Sequence, residues 1–476
     1  MLKNRTKVLG AVLVGAVLTG VLIWDWNRTP STFGLSHAAS GDNPKASLKL
    51  LSPGILSIAL ESGNTHAAGL GLQGDGTIVV GATVVSTPAS DKSSGVVLRL
   101  TPNGRLANPA VTLLADTPTI VSGVSIARDG TIMATGYGSS SDSTNRHFLL
   151  ARLLPDGALD PAFGGGVVLA NLQSSMWLGE TARAVAVQGD DRIVATGSAG
   201  YATSPLSQAS YCATARFSGD GRIDRSFGDN GRVLTLVAGK QMCGASSVLV
   251  EPDGKIVVVG DYASEREPRH IAVLRYLPDG APDSQFGQNG IAHLAQMSAN
   301  AWGAALDSHG RVVVVGTEWL APSGTRFLVV RFDADGNLDQ SFGASGTVSL
   351  HDAVVSQELL AAALQQDGKI VAVGTFGWHS RGRSPEPGRR DQIAVVRLDP
   401  NGALDKSFAG GGLLLMASPR YLWGGHGIAI QPDGKLLIVG DVIDEANDHA
   451  TSEIVLVRLN ADGTPDADFG NGVDAP

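Results

Sequence analysis

Glu251-Pro252-Asp253-Gly254-Lys255-Ile256-Val257-Val258-Val259-Gly260 reads as a tight turn followed by a β-branched strand, and Gln431-Pro432-Asp433-Gly434-Lys435-Leu436-Leu437-Ile438-Val439-Gly440 repeats it. Asp-Gly beside alternating apolar runs is a strong hairpin signal, because glycine supplies the positive φ that the turn needs. Copies of this half turn at Gly76, Gly130, Asp191, Gly254, Gly310, Gly368 and Gly434. The interval is about sixty residues, and a long fixed period marks a repeat architecture. A residue present in every copy serves to build the copy. Function is therefore to be sought where the copies differ.

Each copy has a second half, typified by Arg152-Leu153-Leu154-Pro155-Asp156-Gly157-Ala158-Leu159-Asp160-Pro161-Ala162-Phe163-Gly164. Its strand ends in Arg99, Arg152, Arg216, Arg275, Arg331, Arg397 or Arg458. A fork-like guanidinium suits bidentate pairing with the aspartate eight residues on, as Arg152 with Asp160. Phe163, Phe227, Phe286, Phe342, Phe408 and Phe469 recur at one position and read as packing anchors. Copy one departs, with Leu106-Ala107-Asn108-Pro109 and no phenylalanine. A further short strand follows, such as Val167-Val168-Leu169. That gives four antiparallel strands per copy, A to D, which describes a propeller blade. The last copy lacks a D strand, while Ile55-Leu56-Ser57-Ile58-Ala59-Leu60 precedes the first copy as a surplus strand. The expected fold is all-β: a seven-bladed β-propeller of four-stranded antiparallel blades, its ring closed by this N-terminal outer strand, which protects the end edges.

The halves Gln431-Pro432-Asp433-Gly434-Lys435 and Leu338-Asp339-Gln340-Ser341-Phe342-Gly343 resemble the delta-60 repeat family of bacterial proteins and, more distantly, the NHL-type propellers. The resemblance runs over about residues 54–476. It implies a β-propeller, often exported, and brings no established catalytic residues.

Composition agrees with a turn-rich globular body: 476 residues, 61 of them glycine, 43% hydrophobic and 17% charged. The net charge is −9, and the first forty residues are basic (Lys3, Arg5, Lys7 and Arg28 against Asp25), so the body is still more acidic. That argues against a phosphate-backbone binder, and no nucleic acid is expected as a partner. Lys3, Arg5 and Lys7 precede an apolar run from Val8 to Trp24. A basic start followed by an apolar stretch is a targeting pattern. Residues 1–26 are therefore expected to form a hydrophobic helix, either a cleaved signal peptide or a retained membrane anchor. Residues 27–53 are expected to be a linker and 54–476 the propeller. The body is placed outside the cytoplasm, secreted or periplasmic, or held at the inner membrane. An oxidising compartment permits a disulfide between Cys212 and Cys243, the two cysteines of the chain. A monomer is expected.

Strand direction sorts the connections onto two faces. The Asp-Gly turns share one face, and the variable B–C and D–A connections share the other. Binding residues concentrate on variable loops held by a rigid scaffold. Trp177, Trp302, Trp319, Trp378 and Trp423 map to the variable face and are candidate ligand contacts, suited to stacking on a sugar or gripping a peptide. Wedging between neighbouring blades is the plainer reading of the same residues. Arg381, Arg383, Arg389 and Arg390 form a basic cluster in the sixth copy, facing an anionic polysaccharide or lipid headgroup, or simply solvent. His66 and His426 precede A strands of copies that become neighbours on closure, which makes them candidate channel-mouth residues, as an acid–base pair or as metal ligands for which Glu358 of the sixth copy is the candidate third ligand. Asp333-Ala334-Asp335-Gly336-Asn337-Leu338-Asp339 looks like a calcium loop, but equivalent copies lack its first oxygen ligand, so it reads as a turn. No catalytic residue, metal or cofactor is assigned. The expected function is noncatalytic binding of a carbohydrate or protein ligand at the cell envelope. The alternative is an NHL-like lyase or hydrolase with a histidine site at the channel mouth.

Overall fold

The computed structural model of the chain describes residues 31–34, 44–61, 63–85, 93–114, 117–139, 145–172, 179–204, 207–264, 267–320, 324–350, 356–377, 391–417, 421–444 and 451–473. The expected N-terminal helix lies outside these residues, and the described residues contain no helix. The repeat is legible in every copy. The fifth runs Ala299–Leu306 (A), Val312–Trp319 (B), Thr325–Phe332 (C) and Thr347–Leu350 (D), paired in that order. The A–B turns need positive φ, and they have it: 75° to 87° at the six glycines and 63° at Asp191.

The expectation of seven separate four-stranded blades is corrected. Hydrogen bonding divides the described strands into six sheets: three of four strands, two of five and one of eight. The eight-stranded sheet fuses the third and fourth copies. Ser210, on strand C Ser207–Phe217, pairs in parallel with Met242, on strand A Met242–Val250. The Cys212–Cys243 disulfide sits at this seam, with a Cα–Cα distance of 4.8 Å. It thus joins neighbouring copies rather than two strands of one copy. The additional strands of the five-stranded sheets come from the stretch expected to be a linker. Ser31–Gly34 pairs with Val167–Asn171, and Ala46–Ser52 pairs with Ile55–Leu60.

The two ends of the repeat array meet. Ile55–Leu60 pairs antiparallel with Thr451–Leu459, placing Ile55 opposite Val457 and Ile58 opposite Ile454. Successive A strands pack side by side, and the last, Tyr421–Ile430, packs back on the first, Asn64–Leu72. Leu56, Ile58 and Leu456 share one buried core with Val80 and Leu98.

A three-part staple ties each of copies two to seven to the next copy on the turn face. Arg275 Nε donates to Asp283 Oδ2 at 2.9 Å, and Nη1 donates to the Ala334 carbonyl of the following copy at 2.6 Å. Its guanidinium carbon lies 4.4 Å from the Phe286 ring centre, a cation–π contact. Arg458 repeats this across the closure, with Asp466 Oδ2 at 2.6 Å and the Pro102 carbonyl of copy one at 2.6 Å. The phenylalanine packs on a turn glycine of the next copy: a Cβ on Gly104 would lie 2.9 Å from the Phe469 ring. Copy one lacks the aspartate, and Arg99 turns instead to Asn108 Oδ1 at 2.9 Å and Gln73 Oε1 at 3.1 Å. Burial opposes ionisation of Asp224, Asp339, Asp405 and Asp466. Hydrogen bonds from Ser226, Ser341, Ser407 and Lys435, together with the arginines, outweigh it and hold all four carboxyls below the ordinary value. The recurring arginines are thus structural.

Candidate functional site

The face opposite the turns is where the copies diverge. In every copy the A–B pairing slips by one residue: between Ala67 and Gly69, Val121 and Gly123, Ala182 and Ala184, Ala245 and Ser247, Ala301 and Gly303, Leu359 and Ala361, and Gly425 and Gly427. A β-bulge leaves one residue unpaired and re-aims its side chain. The bulged residues are Ala68, Ser122, Arg183, Ser246, Trp302, Leu360 and His426, so one bulge geometry carries chemically different side chains.

Strand B shows the same contrast. Gly440 and its equivalents recur because the A-strand backbone is close: a Cβ on Gly440 would lie 1.8 Å from the Gly424 carbonyl oxygen. Copy one carries Ala82 there. The next residue is Thr83, Tyr137, Ser198, Asp261, Thr317, Thr375 or Asp441. Two copies, the fourth and the seventh, place a carboxylate at this position.

Asp441 sits at the junction of the last and first copies and gathers both candidate channel-mouth histidines. His66 Nδ1 is 3.1 Å and His426 Nε2 3.4 Å from Asp441 Oδ2, while the Ala67 backbone N–H donates to Oδ1 at 2.7 Å. Burial disfavours the Asp441 carboxylate, but hydrogen bonds from His426, His66 and Ala67 prevail and keep its pKa below the ordinary value. The hydrogen bond to Asp441 in turn raises the His66 imidazole above its usual pKa against a smaller burial effect. Each ring therefore has one nitrogen fixed on the carboxylate, an arrangement able to hold a proton or to orient a polar ligand. Among the described residues no group of three or more His, Cys, Asp or Glu side chains is arranged to hold a metal ion. Glu358 lies on the sixth copy's A strand, opposite Thr375.

Asp261 occupies the equivalent place at the junction of the fourth and fifth copies. Arg269 Nη1 donates to Asp261 Oδ1, and Asn300 Nδ2 donates to Oδ2 at 2.9 Å. Trp319 Nε1 donates to Asn300 Oδ1 at 2.5 Å. Asp261 and Asn300 are buried, whereas Trp319 is 37% exposed as a residue. Trp302 turns inward, its Nε1 donating to Thr317 Oγ1 at 3.2 Å.

These positions modify the loop-based expectation. Trp302, Trp319 and Trp423 lie within strands, not connections. Trp177, Trp378, Arg381, Arg383, Arg389 and Arg390 lie outside the described residues, as does the Trp423 side chain. Sequence reading brought His66 and His426 together but missed Asp441, Asp261, Asn300 and Arg269. A signal was present: strand B carries Val-Gly-Asp at Val259-Gly260-Asp261 and Val439-Gly440-Asp441, where other copies have Thr, Ser or Tyr in place of the aspartate.

A family model described as a domain of unknown function (DUF5122) beta-propeller matches residues 73–106, 127–163, 251–286, 309–342, 365–408 and 431–469. No curated protein matches the chain. Among solved structures, a protein of unknown function from Dyadobacter fermentans is similar at 14% identity and TM-score 0.42, covering 87% of this chain and 99% of its own. The polysaccharide lyase Uly1 is similar at 10% identity and TM-score 0.47, with 83% and 90% covered. A gluconolactonase from Xanthomonas campestris is similar at 12% identity and TM-score 0.35, with 88% and 99% covered. With its recurring A-to-D sheets and six stretches similar to one β-propeller repeat model, the chain is a β-propeller repeat protein.

Proposed function

We propose that this propeller is a noncatalytic binding scaffold acting outside the cytoplasm, which presents a carbohydrate or protein ligand to the face where A strands begin and B strands end. One observation carries the reading. On the turn face the arginine, aspartate and phenylalanine of successive copies satisfy one another, whereas on the opposite face the bulge position carries six kinds of side chain in seven copies and the post-glycine position four. A site needs a few distinct groups brought close together, and among the described residues the second face gathers them at Asp441 and Asp261. The basic start ahead of the Val8–Trp24 run and the Cys212–Cys243 bond support an extracytoplasmic body, free or membrane-held.

A glycan array probed with the full-length chain tests this. Binding is expected to weaken in Trp319→Ala and to persist in Lys255→Gln and Lys435→Gln on the turn face. Affinity lost only through the turn-face changes would overturn the reading.

The shared carboxylate of His66 and His426 favours a second reading, a lyase or hydrolase acting at the channel mouth. Turnover of a bound glycan that His426→Ala abolishes, with binding retained, would select it.

A further inference from the structure

We infer that the junction of the third and fourth copies is a carboxylate subsite, in which the Arg183 guanidinium receives the carboxylate of an acidic sugar beside the open backbone at Gly244. The inference rests on the binding-scaffold reading above and names the ligand class for one place on that face.

The repeat supplies the comparison. Three positions meet where copies join: the post-glycine residue of strand B, the bulged residue of the same copy, and the residue two before the bulge in the next copy. The junction of the seventh and first copies fills all three, with Asp441 between His426 and His66. The fourth–fifth junction joins Asp261 to Asn300, and within the fifth copy the bulged Trp302 donates to Thr317. The equivalent residues at the third–fourth junction are Ser198, Arg183 and Gly244, with no carboxylate among them.

Each of the three departs from the filled junction in the direction of a ligand. In place of Asp441 stands Ser198, whose Oγ is engaged with Thr181 Oγ1 at 2.9 Å. In place of His66 stands Gly244, where a Cβ would meet no described atom within 4 Å. In place of His426 stands Arg183, on strand A Glu180–Val187. Arg183 is exposed and makes no side-chain hydrogen bond or ion pair among the described residues. It is also the one Lys or Arg on the seven A strands. A permanent cation is thus re-aimed by a bulge beside open backbone, without the carboxylate that its counterpart has. A guanidinium takes a carboxylate through two parallel N–H donors, and the seventh–first junction shows that a carboxylate fits beside the bulged residue.

A second cation points to a chain rather than a single small anion. Arg146, at the start of strand C Arg146–Leu153, is exposed, and its guanidinium carbon lies 4.7 Å from the Tyr137 ring centre. It has no carboxylate partner among the described residues. It packs on the start of the strand that carries Arg183, since a Cβ on Gly179 would lie 2.8 Å from the Arg146 Cβ. About 13 Å of extended strand separates Gly179 from Arg183, a span that a chain of repeated carboxylates can cover. The net charge of −9 belongs to the whole molecule and is screened beyond about 8–10 Å, so the two guanidiniums set the local field. Thr181, Ser198 and Ser246 place hydroxyls at this junction, which suits a hydroxyl-rich polyuronate better than an acidic peptide.

The full-length chain should be titrated by calorimetry with α-1,4-tetragalacturonate, β-1,4-tetraglucuronate, their methyl esters and tetraglutamate. At least one tetrauronate is expected to bind, and its methyl ester should bind at least tenfold more weakly. Arg183→Gln should cost tenfold or more in affinity with an unchanged melting temperature, and Arg183→Lys should recover part of it. Gly244→Asp places an internal carboxylate beside Arg183 and should weaken binding to a similar extent. Arg128→Gln removes the same charge from an exposed site on the turn face and should leave affinity unchanged. Failure of both tetrauronates to bind, or full affinity in both Arg183→Gln and Gly244→Asp, overturns the subsite. Equal weakening by Arg128→Gln would reduce the effect to net charge and overturns it too. Tighter binding of tetraglutamate through Arg183 overturns the saccharide class and leaves the scaffold reading standing. Ligand contacts confined to the turn face overturn both.

Discussion

At the scale of single residues, the staple carboxylates and the His66 imidazole give the molecule opposite pH limbs. Asp224, Asp339, Asp405 and Asp466 ionise more easily folded than unfolded, because their serine, lysine and arginine partners outweigh the cost of burial. Their contribution is therefore complete above the unfolded carboxylate value of about 3.9 and is lost as the pH falls below it. His66 runs the other way. Its folded pKa is raised by the Asp441 hydrogen bond, so its contribution is full below the ordinary value of about 6.5 and is lost as the pH rises through the folded one. Melting temperature against pH should show both limbs, and His66→Gln should flatten the alkaline limb alone. An alkaline limb unchanged in His66→Gln would show that the Asp441 bond adds no stability. The staple arginines permit a larger effect. Arg331 is buried against Asp339, and Arg331→Ala strands that carboxylate, at an expected cost of about 3–5 kcal/mol by chemical denaturation. These pairs were legible in the sequence because the eight-residue spacing repeats. Asp441 and Asp261 were not, because each is met by a side chain from the next copy, and no local spacing encodes that meeting.

At the scale of the element, the seam between the third and fourth copies shows why the repeat period foretold the strands and not the sheets. Strand C of the third copy, Ser207–Phe217, runs beyond its D strand Arg232–Thr235. The uncovered end, at Ser210, pairs with Met242 of the following A strand and merges two sheets into one. A repeat pattern fixes how strands alternate within a copy, but strand length at one edge decides whether neighbouring copies join. The stretch 27–53 was similarly opaque. Its prolines and polar residues read as linker, yet Ala46–Ser52 shows the period-two half-burial of an edge strand. Cys212–Cys243 ties the seam with a sequence separation of 31, for which the loop-entropy model gives about 3–4 kcal/mol. Cys212→Ser with Cys243→Ser, or reduction, should lower the denaturation midpoint and, because the freed unfolded chain is less compact, raise the slope. No change on reduction of a bond confirmed by mass spectrometry would mean that the backbone pairing alone holds the seam.

At the scale of the whole molecule, ring closure makes Ile55–Leu60 a part of the last sheet, so stability depends on residues separated by nearly the full chain. Ile55, Leu56, Ile58 and Leu60 are 5%, 0%, 0% and 3% exposed, and three of them pack in the core that joins the first and last sheets. Each fully buried aliphatic side chain contributes roughly 1.5–3 kcal/mol. Their backbone also covers the edge of Thr451–Leu459, which would otherwise present an unpaired row of N–H and C=O groups. The Arg458–Pro102 staple and the Asp441–His66 contact span the same junction, so closure holds the turn face and the candidate site together. Deleting residues 54–60 should therefore do more than subtract one strand. The melting temperature is expected to fall sharply, soluble oligomers should form through the bared edge, and the protection of the Ala67 amide in hydrogen exchange should be lost. Deleting a D strand elsewhere, such as Leu413–Met416, also bares an edge but leaves the junction intact, and should lower stability without exposing Ala67. Equal loss of Ala67 protection in both deletions would mean that the ring is held by the packing of successive A strands, with the terminal strand a passive cover.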